Sequence, residues 1–586
     1  MIRRALVGLL CGAASSLFLF SVVRSVGLAL CVGSIVGIAQ IFAFFDLAGG
    51  SAVDRGMTAA VLGVPFWATF NVILLPIIRG GKPQWTAEEM RALFPALIGW
   101  LLFSFFLGTL TQVARQISKQ LFGPELPRRV LLPPMRKIEI VILGGGFAGV
   151  TTAEQLEKQF RDDPTVAFTL VSETNSWLFT PMLVEVAASG LEPTHITTPL
   201  RTSLKRTRVV RSKVAGIDLK ARRVQLRGAG AQTWLRYDHL VVALGAISSY
   251  SHSSTIRETA REFKTLSDAM GIRNHVIDMF ERADAEFDPD RRRTLLTFVV
   301  AGGGFSGAEL AGGLNDFARG IVVDYPSLSA ADLRVILVHS RERILPELSE
   351  SMADYATRRL RERGVTLKPN TRVVDAKPGL VILSSAEEIA TETFVWTAGA
   401  TPSPVIQELP ICHDDRGGVL VDATLELPGY RNVWALGDCA SVPNKLTGKV
   451  CPPTAQAATR QAAFLARNIR ASVAGHRLKP FRFRSVGSLC VIGHHTACAE
   501  VLGLKFSGLF AWLLWRGIYL SKLPGLDKKV RVAFDWTLDL LFRKDVCAIH
   551  ELPLRANSMT FEVKPSWNRG LLEPIHFENK FSAIRE

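Results

Sequence analysis

Two glycine-rich turns of one pattern constrain this chain most strongly. Each reads G-x-G-x-x-G, directly after an apolar, strand-like run. The glycines are Gly144, Gly146 and Gly149 in the first turn and Gly302, Gly304 and Gly307 in the second. When a strand, such a turn and a helix follow one another, the backbone N–H groups at the start of the helix bind a dinucleotide pyrophosphate. Phe147 and Ala148 open the first helix and are candidate contacts too. Two such turns predict two bound dinucleotides, and electron transfer between nicotinamide and flavin is the usual reason to hold two.

The residues that follow each second strand differ between the two turns. Glu173 ends the run 167–172, where an acid accepts hydrogen bonds from ribose hydroxyls. The corresponding run 333–338 ends instead in His339, Ser340 and Arg341. A carboxylate at this position would repel a 2′-phosphate, and none is present. The second site is therefore expected to accept NADPH as well as NADH.

The first 115 residues hold four apolar runs close to the ~20 residues that cross a bilayer. They are residues 5–23, 26–45, 57–78 and 92–114. We expect a multi-pass protein of the bacterial cytoplasmic membrane, with the catalytic domains on the cytoplasmic side, because Arg3 and Arg4 precede the first run. Arg79, Lys82 and Arg91 would then lie outside, against that topology. A cleaved signal peptide and buried core helices are the alternatives.

Charge and cysteine content exclude several classes of partner. The net charge of +16 is scattered along the chain, which argues against a nucleic-acid partner. Much of the excess lies beside apolar segments, for example at Arg115, Lys119, Arg516 and Lys522, where basic residues usually face anionic lipid headgroups. None of the eight cysteines forms C-x-x-C, which argues against a disulfide framework or a structural zinc site. No histidine precedes His195, so the apolar region lacks the usual haem ligands. We predict no bound metal.

From about residue 137 to 542 the chain resembles the type II NADH:quinone oxidoreductases, which are single-subunit, non-pumping, membrane-associated FAD enzymes. Beyond the glycines, the resemblance rests on FTPML at 179–183, FKTLSDAM at 263–270, WTAG at 396–399, ALGD at 435–438 and PTAQ at 453–456. It implies flavin-side roles for Thr180, Gly399, Gly437 and Asp438. Asp438 would contact the ribityl chain.

The resemblance also implies an acceptor site. Thr454, Ala455 and Gln456 begin the family's quinone-side motif, A-Q-x-A-x-Q. Arg460 occupies the place of the second Gln, and Gln461 is turned away by about 100 degrees on a helix. The Arg460 guanidinium could hydrogen-bond a quinone carbonyl. Glu309, in the first turn of the second helix, would face the nicotinamide–flavin junction. Its alternative role is to complement the helix dipole.

The predicted fold class is α/β, with two Rossmann-like domains, the second inserted in the first, preceded by an all-α membrane region of about four helices. The predicted domains are transmembrane helices (1–122), a linker (123–136), an FAD-binding domain in two parts (137–262 and 401–500), an NAD(P)H-binding domain (263–400), a membrane-interface region (501–545) and a tail (546–586). Residues 505–542 look amphipathic, as in helices that lie in the bilayer surface. A core or dimer face is the alternative, so a homodimer stays open.

The expected function is oxidation of NAD(P)H through FAD with reduction of membrane quinone, without proton pumping. The alternatives are another electron acceptor, or a membrane redox sensor that binds both cofactors. A dithiol oxidoreductase needs a cysteine pair soon after the first turn, and no cysteine lies between residues 144 and 300. Sulfide:quinone oxidation also needs catalytic cysteines, and only later ones such as Cys439 and Cys451 remain.

Overall fold

The computed structural model describes residues 2–19, 26–44, 52–60, 63–81, 92–122, 137–227, 232–250 and 253–548. The predicted linker at 123–136 lies outside these residues, as do Lys82 and Arg91 and the tail from residue 549 onward.

The first large sheet carries the first glycine turn. Its six strands lie in the order Glu426–Leu427, Tyr430–Ala435, His239–Val242, Ile138–Leu143, Val166–Ser172 and Arg208–Arg211. All neighbours are parallel except the first pair, which is antiparallel. Buried Val, Ile and Leu side chains fill its central strands, as is typical of a parallel sheet covered on both faces.

The second large sheet carries the second glycine turn. Its five parallel strands lie in the order Arg261–Glu262, Thr393–Trp396, Thr297–Ala301, Arg334–Val338 and Val365–Lys368. All of these residues fall between His239–Val242 and Tyr430–Ala435 of the first sheet, so the second sheet is inserted in the first. Its edge strand starts at Arg261, two residues before the predicted boundary at 263.

A short antiparallel ribbon joins the two halves. Ala246–Ser248 pairs with Ala400–Pro402 where the chain leaves the first sheet and where it returns. Close by, Thr265 and Asp268 form a capping box at the start of the inter-domain helix, Leu266–Asp284.

Smaller sheets and helices complete the globular part. The three-stranded antiparallel sheets are Lys213–Asp218 with Arg223–Arg227 and Gln232–Arg236, Val373–Lys377 with Leu380–Leu383 and Glu388–Ala390, and Gly487–Val491 with Ala497–Val501 and Leu504–Ser507. The two-stranded pairs are Ser176–Leu178 with Thr197–Pro199 and Val419–Leu420 with Ala440–Ser441. The longer helices are Phe147–Gln159, Leu266–Asp284, Phe305–Ile321, Glu350–Glu362, Ala455–Val473, Gly508–Lys522 and Leu526–Leu541. The shorter ones are Leu183–Ala187, Leu200–Ser203, Ser254–Thr259, Pro289–Leu295 and Pro404–Gln407.

The N-terminal region is helical, but only partly as expected. Its helices are Ile2–Ser15, Val26–Phe44, Ala52–Ala60, Gly63–Trp67, Leu75–Ile78 and Phe94–Phe122, with a π-helical segment at Ala68–Leu74. Within the described residues, one helix, Phe94–Ala114, is long and apolar enough to cross a membrane. Gly8–Leu19, Val26–Ile38 and Gly63–Ile77 are apolar but shorter. Four full-length spans are therefore not established.

Small residues let the first two helices pack closely. A Cβ atom on Gly12 would lie 2.1 Å from the Gly33 carbonyl oxygen, and one on Gly37 would lie 2.2 Å from the Gly8 carbonyl oxygen. Each helix thus contributes a G-x-x-x-G pair to the contact, a pattern that brings helix backbones together in membranes. In the same region the Trp100 indole N–H donates to Asn71 Oδ1 at 2.7 Å.

Candidate functional site

Each glycine of the first turn has a distinct steric role. Gly144 has φ +113°, and a Cβ there would lie 2.1 Å from the Ala243 carbonyl oxygen. A Cβ on Gly149 would lie 1.9 Å from the Gly144 carbonyl oxygen. By contrast, a Cβ on Gly146 would meet nothing within 4 Å. The open space beside Gly146, at the start of helix Phe147–Gln159, is where a phosphate can approach the backbone.

The second turn repeats this geometry. Gly302 also has φ +113°, and its Cβ would lie 2.6 Å from Thr397 Oγ1. A Cβ on Gly307 would lie 1.7 Å from the Gly302 carbonyl oxygen, whereas one on Gly304 would meet only Glu347 Oε1, at 4.0 Å. Two cradles of equal shape, each open at the middle glycine, therefore start two helices on two separate sheets.

The other predicted flavin-side residues gather around the first turn. Gly437 has φ +75°, and a Cβ there would lie 3.0 Å from the Cβ of Ala148, which is buried. Asp438 follows it, exposed to solvent, and Glu173 is exposed at the end of its strand. Strand adjacency explains the grouping, because Tyr430–Ala435, His239–Val242 and Ile138–Leu143 are neighbours and end at one edge.

Three further predicted residues lie around the two turns. Phe147 is half-buried, and its ring centroid lies 5.1 Å from that of Trp177. Thr180 is exposed and starts the 3₁₀ turn Thr180–Met182. Gly399 has φ +82° beside the ribbon, where a Cβ would lie 3.3 Å from the Ser249 carbonyl oxygen.

Lys264 was not predicted and lies beside Asp438. Its ammonium donates to the Ala246 carbonyl oxygen at 2.9 Å. Protein atoms packed around the Asp438 carboxyl raise its pKa although the residue keeps contact with solvent, and the charge of Lys264 opposes that shift. Burial lowers the pKa of Lys264, and the Asp438 charge raises it again. The lysine thus joins the ribbon to the flavin-side turn. In the sequence, only its place in the FKTLSDAM segment pointed to Lys264.

His339 is oriented differently from the expectation of a ribose contact. The residue is buried, and its Nδ1 accepts the Gly303 N–H at 3.0 Å. Burial lowers the pKa of the imidazole, and Arg341 lowers it further. The ring therefore supports the glycine turn from behind. Ser340 and Arg341 are exposed next to it.

Glu309 lies where the inserted domain meets the C-terminal sheet. It is the fifth residue of helix Phe305–Ile321 and so lies just past the first turn, in which it was expected. The side chain is half-buried, and its Oε1 accepts the Val491 N–H at 3.2 Å. Burial raises the pKa of the carboxyl to about 8, the Val491 hydrogen bond opposes the shift, and Glu185 adds to it. Glu309 can therefore hold a proton at neutral pH, a property that a dipole-complementing surface acid would lack.

A second carboxyl, Glu185, lies close to Glu309 and was missed by sequence reasoning. It belongs to helix Leu183–Ala187, and its Oε2 accepts the Trp536 indole N–H. Burial raises the pKa of Glu185, while the charges of Arg516 and Lys544 lower it. The available signal was an acid inside the apolar run MLVEVAAS. Tyr519 completes the junction, because its ring lies 6.0 Å from that of Phe179.

The predicted acceptor motif starts helix Ala455–Val473. Thr454 caps the helix, since its side chain accepts the Ala457 N–H at 3.2 Å. The Gln456 amide is bound to the backbone of the C-terminal sheet: Oε1 accepts the Val486 N–H at 3.1 Å, and Nε2 donates to the Gly487 carbonyl oxygen at 3.4 Å. Ala455 is half-buried.

Arg460 and Gln461 lie on different faces of this helix. Arg460 is exposed, and among the described residues no acid forms an ion pair with it. Gln461 is buried, and its Oε1 accepts the Gly437 N–H at 2.8 Å. Gln461 therefore holds the flavin-side turn and is not a substitute for the motif's second Gln.

The described residues contain no group of three or more His, Cys, Asp or Glu side chains that could hold a metal. Cys439 and Cys451, considered above for thiol chemistry, are both buried. Burial raises the pKa of the Cys439 thiol to about 11, which disfavours the reactive thiolate.

Two family models match the chain. Residues 138–462 match the pyridine nucleotide-disulphide oxidoreductase model, and residues 486–545 match the NDH2 C-terminal domain model. Together they cover both glycine turns, the start of helix Ala455–Val473 and the last two helices, Gly508–Lys522 and Leu526–Leu541.

Individual relatives agree with these matches. The type II NADH:quinone oxidoreductase Ndh of Mycobacterium tuberculosis is 31% identical, over 70% of this chain and 89% of its own length. The type II NADH:quinone oxidoreductase NdhA of the same organism is 33% identical, over 69% of this chain and 87% of its own length. The structure of NDH2 from Plasmodium falciparum in complex with NADH has a TM-score of 0.66 at 18% identity, over 70% of this chain and 100% of that one. That likeness shows the shared fold.

Proposed function

Because the chain belongs to the type II NADH:quinone oxidoreductase family, we propose that it oxidises NAD(P)H through FAD and reduces a membrane quinone without pumping protons. The family uses FAD and NADH. One observation carries the proposal for this chain: two glycine cradles, each open at its middle glycine, lie on two sheets that a short ribbon joins.

The first cradle fits FAD. The space beside Gly146 admits a pyrophosphate, the exposed Glu173 can accept hydrogen bonds from adenosine ribose hydroxyls, and Asp438 can accept one from the ribityl chain. Gln461 and Lys264 hold the loops that present these groups. When bound, FAD supplies the ability to accept a hydride from a nicotinamide and to pass its electrons to a quinone.

The protein's own chemical contribution is to hold protons. Quinone reduction consumes protons, and Glu309 is placed to carry one because its carboxyl stays neutral up to about pH 8. Glu185 is a second raised-pKa carboxyl beside it. Trp515 packs against Tyr519 and Trp536, and the Trp536 indole N–H donates to Glu185, so this aromatic cluster adjoins the pair.

The proposed function is tested by steady-state oxidation of NADH and NADPH by the purified full-length protein, with and without a quinone. We expect a yellow protein whose NADH oxidation is strongly quinone-dependent. Flavin bleaching by NADH without quinone-dependent turnover would favour the redox-sensor alternative. A folded protein that takes up no FAD would refute both.

Replacement of the predicted acceptor residues should affect one half-reaction only. In Gln456→Ala the Val486 N–H and the Gly487 carbonyl lose their side-chain partner, and Arg460→Ala removes a charged donor worth about 1.5–3 kcal/mol. We expect each variant to slow quinone reduction by about tenfold or more and to leave flavin reduction by NADH nearly unchanged. Stopped-flow measurement separates the two steps. Equal losses in both would place the acceptor site elsewhere.

Nicotinamide preference should depend on Arg341. A guanidinium bound to a 2′-phosphate contributes ~1.5–3 kcal/mol, so Arg341→Ala should raise KM for NADPH by about tenfold or more and change KM for NADH little. Lys377→Ala, an exposed cation elsewhere in the inserted domain, serves as the control. Since the His339 ring faces Gly303, we expect His339→Glu to weaken both nucleotides together. A protein that ignores NADPH from the outset would contradict this assignment.

We also propose that two regions attach the protein to the cytoplasmic face of a bacterial membrane. The first is the apolar N-terminal region, with Phe94–Ala114 as its spanning helix. The second is the C-terminal apolar patch, which we define as the exposed residues Leu502, Leu504, Leu509, Phe510 and Leu513. Helix Leu526–Leu541 supports this second attachment. It turns Asp535 and Trp536 toward the protein and exposes Phe534 and Leu541. Multiple spans and a homodimer stay predictions.

A further inference from the structure

The charged Lys, Arg, Asp and Glu side chains of residues 439–499 are all positive, and the proposed function gives this charge no role. This stretch contains nine Lys or Arg residues and no Asp or Glu. All nine are exposed: Lys445, Lys449, Arg460, Arg467, Arg470, Arg477, Lys479, Arg482 and Arg484. Within the described part of the chain, none of them forms an ion pair. Among the residues that the structure describes, no carboxylate therefore neutralises their charge.

Packing brings four of these cations close together. The segment after helix Ala455–Val473 runs back along it, because Asn468 Nδ2 donates to the Lys479 carbonyl oxygen and the ring of Phe464 lies 5.2 Å from that of Phe481. Phe481 and Phe483 are buried and alternate with the exposed Arg482 and Arg484. The loop at 444–450 is tied to the same segment.

Three hydrogen bonds make that tie. Asn444 Nδ2 donates to the Phe483 carbonyl oxygen at 2.8 Å, the Phe483 N–H donates to Asn444 Oδ1 at 3.0 Å, and the Lys445 N–H donates to the Phe481 carbonyl oxygen at 3.2 Å. Lys445, Lys449, Arg482 and Arg484 therefore form one cluster, which we call the basic face.

The basic face adjoins the C-terminal apolar patch. Two residues beyond Arg484, the Val486 carbonyl oxygen accepts the N–H of Leu502, which is 79% exposed. Leu446 and Val450, between and beside the two lysines, are 56% and 57% exposed. Cations next to exposed aliphatic side chains match a bilayer surface, where headgroups meet acyl chains.

We propose that the basic face binds the anionic phospholipid headgroups of a bilayer and so makes membrane docking selective for anionic lipid. The proposal rests on the proposed function for the orientation of the apolar patch toward a membrane. The charge supplies what that patch cannot: apolar side chains bind zwitterionic and anionic bilayers alike, whereas lysine and arginine add attraction only to the latter. Through Gln456, which binds Val486 and Gly487, docking would also steady the acceptor helix.

Hydrogen exchange of the full-length protein in lipid nanodiscs tests the proposal. Peptides covering 440–450 and 476–486 should exchange more slowly in nanodiscs of phosphatidylcholine with phosphatidylglycerol than in phosphatidylcholine alone. High salt should remove the difference, because it screens surface charges. With Phe94–Ala114 spanning the bilayer as proposed above, the protein stays in both kinds of nanodisc, so the comparison reports the local contact.

Charge-neutral variants sharpen the test. Each cation near an anionic surface contributes about 1 kcal/mol, so Lys445→Gln, Arg482→Gln and Arg484→Gln together should weaken the local contact by on the order of 100-fold and abolish the protection. The matched control is Arg161→Gln, Lys220→Gln and Lys377→Gln, three exposed cations outside the basic face, which should keep it.

Two results would overturn the proposal: equal exchange in both lipids, or protection that survives in the triple variant. Equal exchange would leave an acidic protein as the complementary partner. NADH oxidation with a water-soluble quinone, measured on the same samples, separates this inference from the proposed function. If turnover is normal but protection does not depend on the lipid, only the lipid-binding proposal is refuted. If protection depends on the lipid but there is no turnover, only the proposed function is refuted.

Discussion

Glu309→Gln is expected to slow quinone reduction by about 100-fold or more at neutral pH, the usual range for loss of a positioned proton donor. Flavin reduction by NADH should stay within about twofold of the wild-type rate, since hydride transfer needs no such donor. The amide keeps the size of the carboxyl and can still accept the Val491 N–H, but it carries no acidic proton. Stopped-flow spectroscopy of the two half-reactions measures both effects.

The same prediction sets the direction in which the rate of quinone reduction changes with pH. Burial raises the pKa of Glu309 to about 8, so the carboxyl holds its proton below that pH and loses it above. Quinone reduction by the wild type should therefore fall as the pH rises past about 8, and Glu309→Gln should lack that limb. Glu154→Gln is the matched control, because Glu154 is a half-buried carboxyl whose pKa burial also raises, on helix Phe147–Gln159. An unchanged quinone rate in Glu309→Gln would remove Glu309 from the mechanism.

Alanine at the third glycine of either turn should remove one nucleotide and spare the other. The new Cβ would lie 1.9 Å from a carbonyl oxygen in Gly149→Ala and 1.7 Å in Gly307→Ala, so the turn backbone must shift. Overpacking of this kind costs ~1–3 kcal/mol, and each 1.4 kcal/mol is tenfold in binding. We expect Gly149→Ala to lose about nine-tenths of its FAD. Gly307→Ala should keep its FAD and raise KM for NADH at least tenfold.

Flavin absorbance per protein and steady-state kinetics measure these losses. Gly271→Ala in the inter-domain helix is the control, because its Cβ would meet nothing within 4 Å and alanine favours a helix by about 1 kcal/mol. Full FAD content in Gly149→Ala, or an unchanged NADH response in Gly307→Ala, would mean that these turns do not bind the nucleotides.

The sequence predicts the nucleotide domains well because their signals are local. A glycine turn, its preceding strand and its following helix fall within some 20 residues, and the insertion of the second sheet follows from the order of the segments. The structure of the N-terminal region was harder to predict from the sequence. The apolar runs predict four spans, whereas among the described residues only Phe94–Ala114 is both long and apolar enough to cross a membrane.

The parts of the site that sequence reasoning missed depend on contacts between distant residues. Glu185 is bound to Trp536, and Gln461 to Gly437, and no local pattern marks either pair. For His339, the position at a strand end was readable but the direction of its ring was not. That direction is set by the close approach of Gly303, whose Cβ would lie 2.7 Å from His339 Cγ.

The insertion of one sheet within the other imposes an order on folding during synthesis. Strand His239–Val242 pairs on one side with Tyr430–Ala435, which the ribosome makes only after the whole inserted domain. At ~5–20 residues per second, that edge stays open for on the order of ten seconds or more. The inserted sheet needs nothing beyond Trp396 and can close first. A buried, hydrophobic strand edge left open during this interval can pair with other chains, so the edge of His239–Val242 is where the nascent chain is most exposed to aggregation, even after the inserted domain has closed.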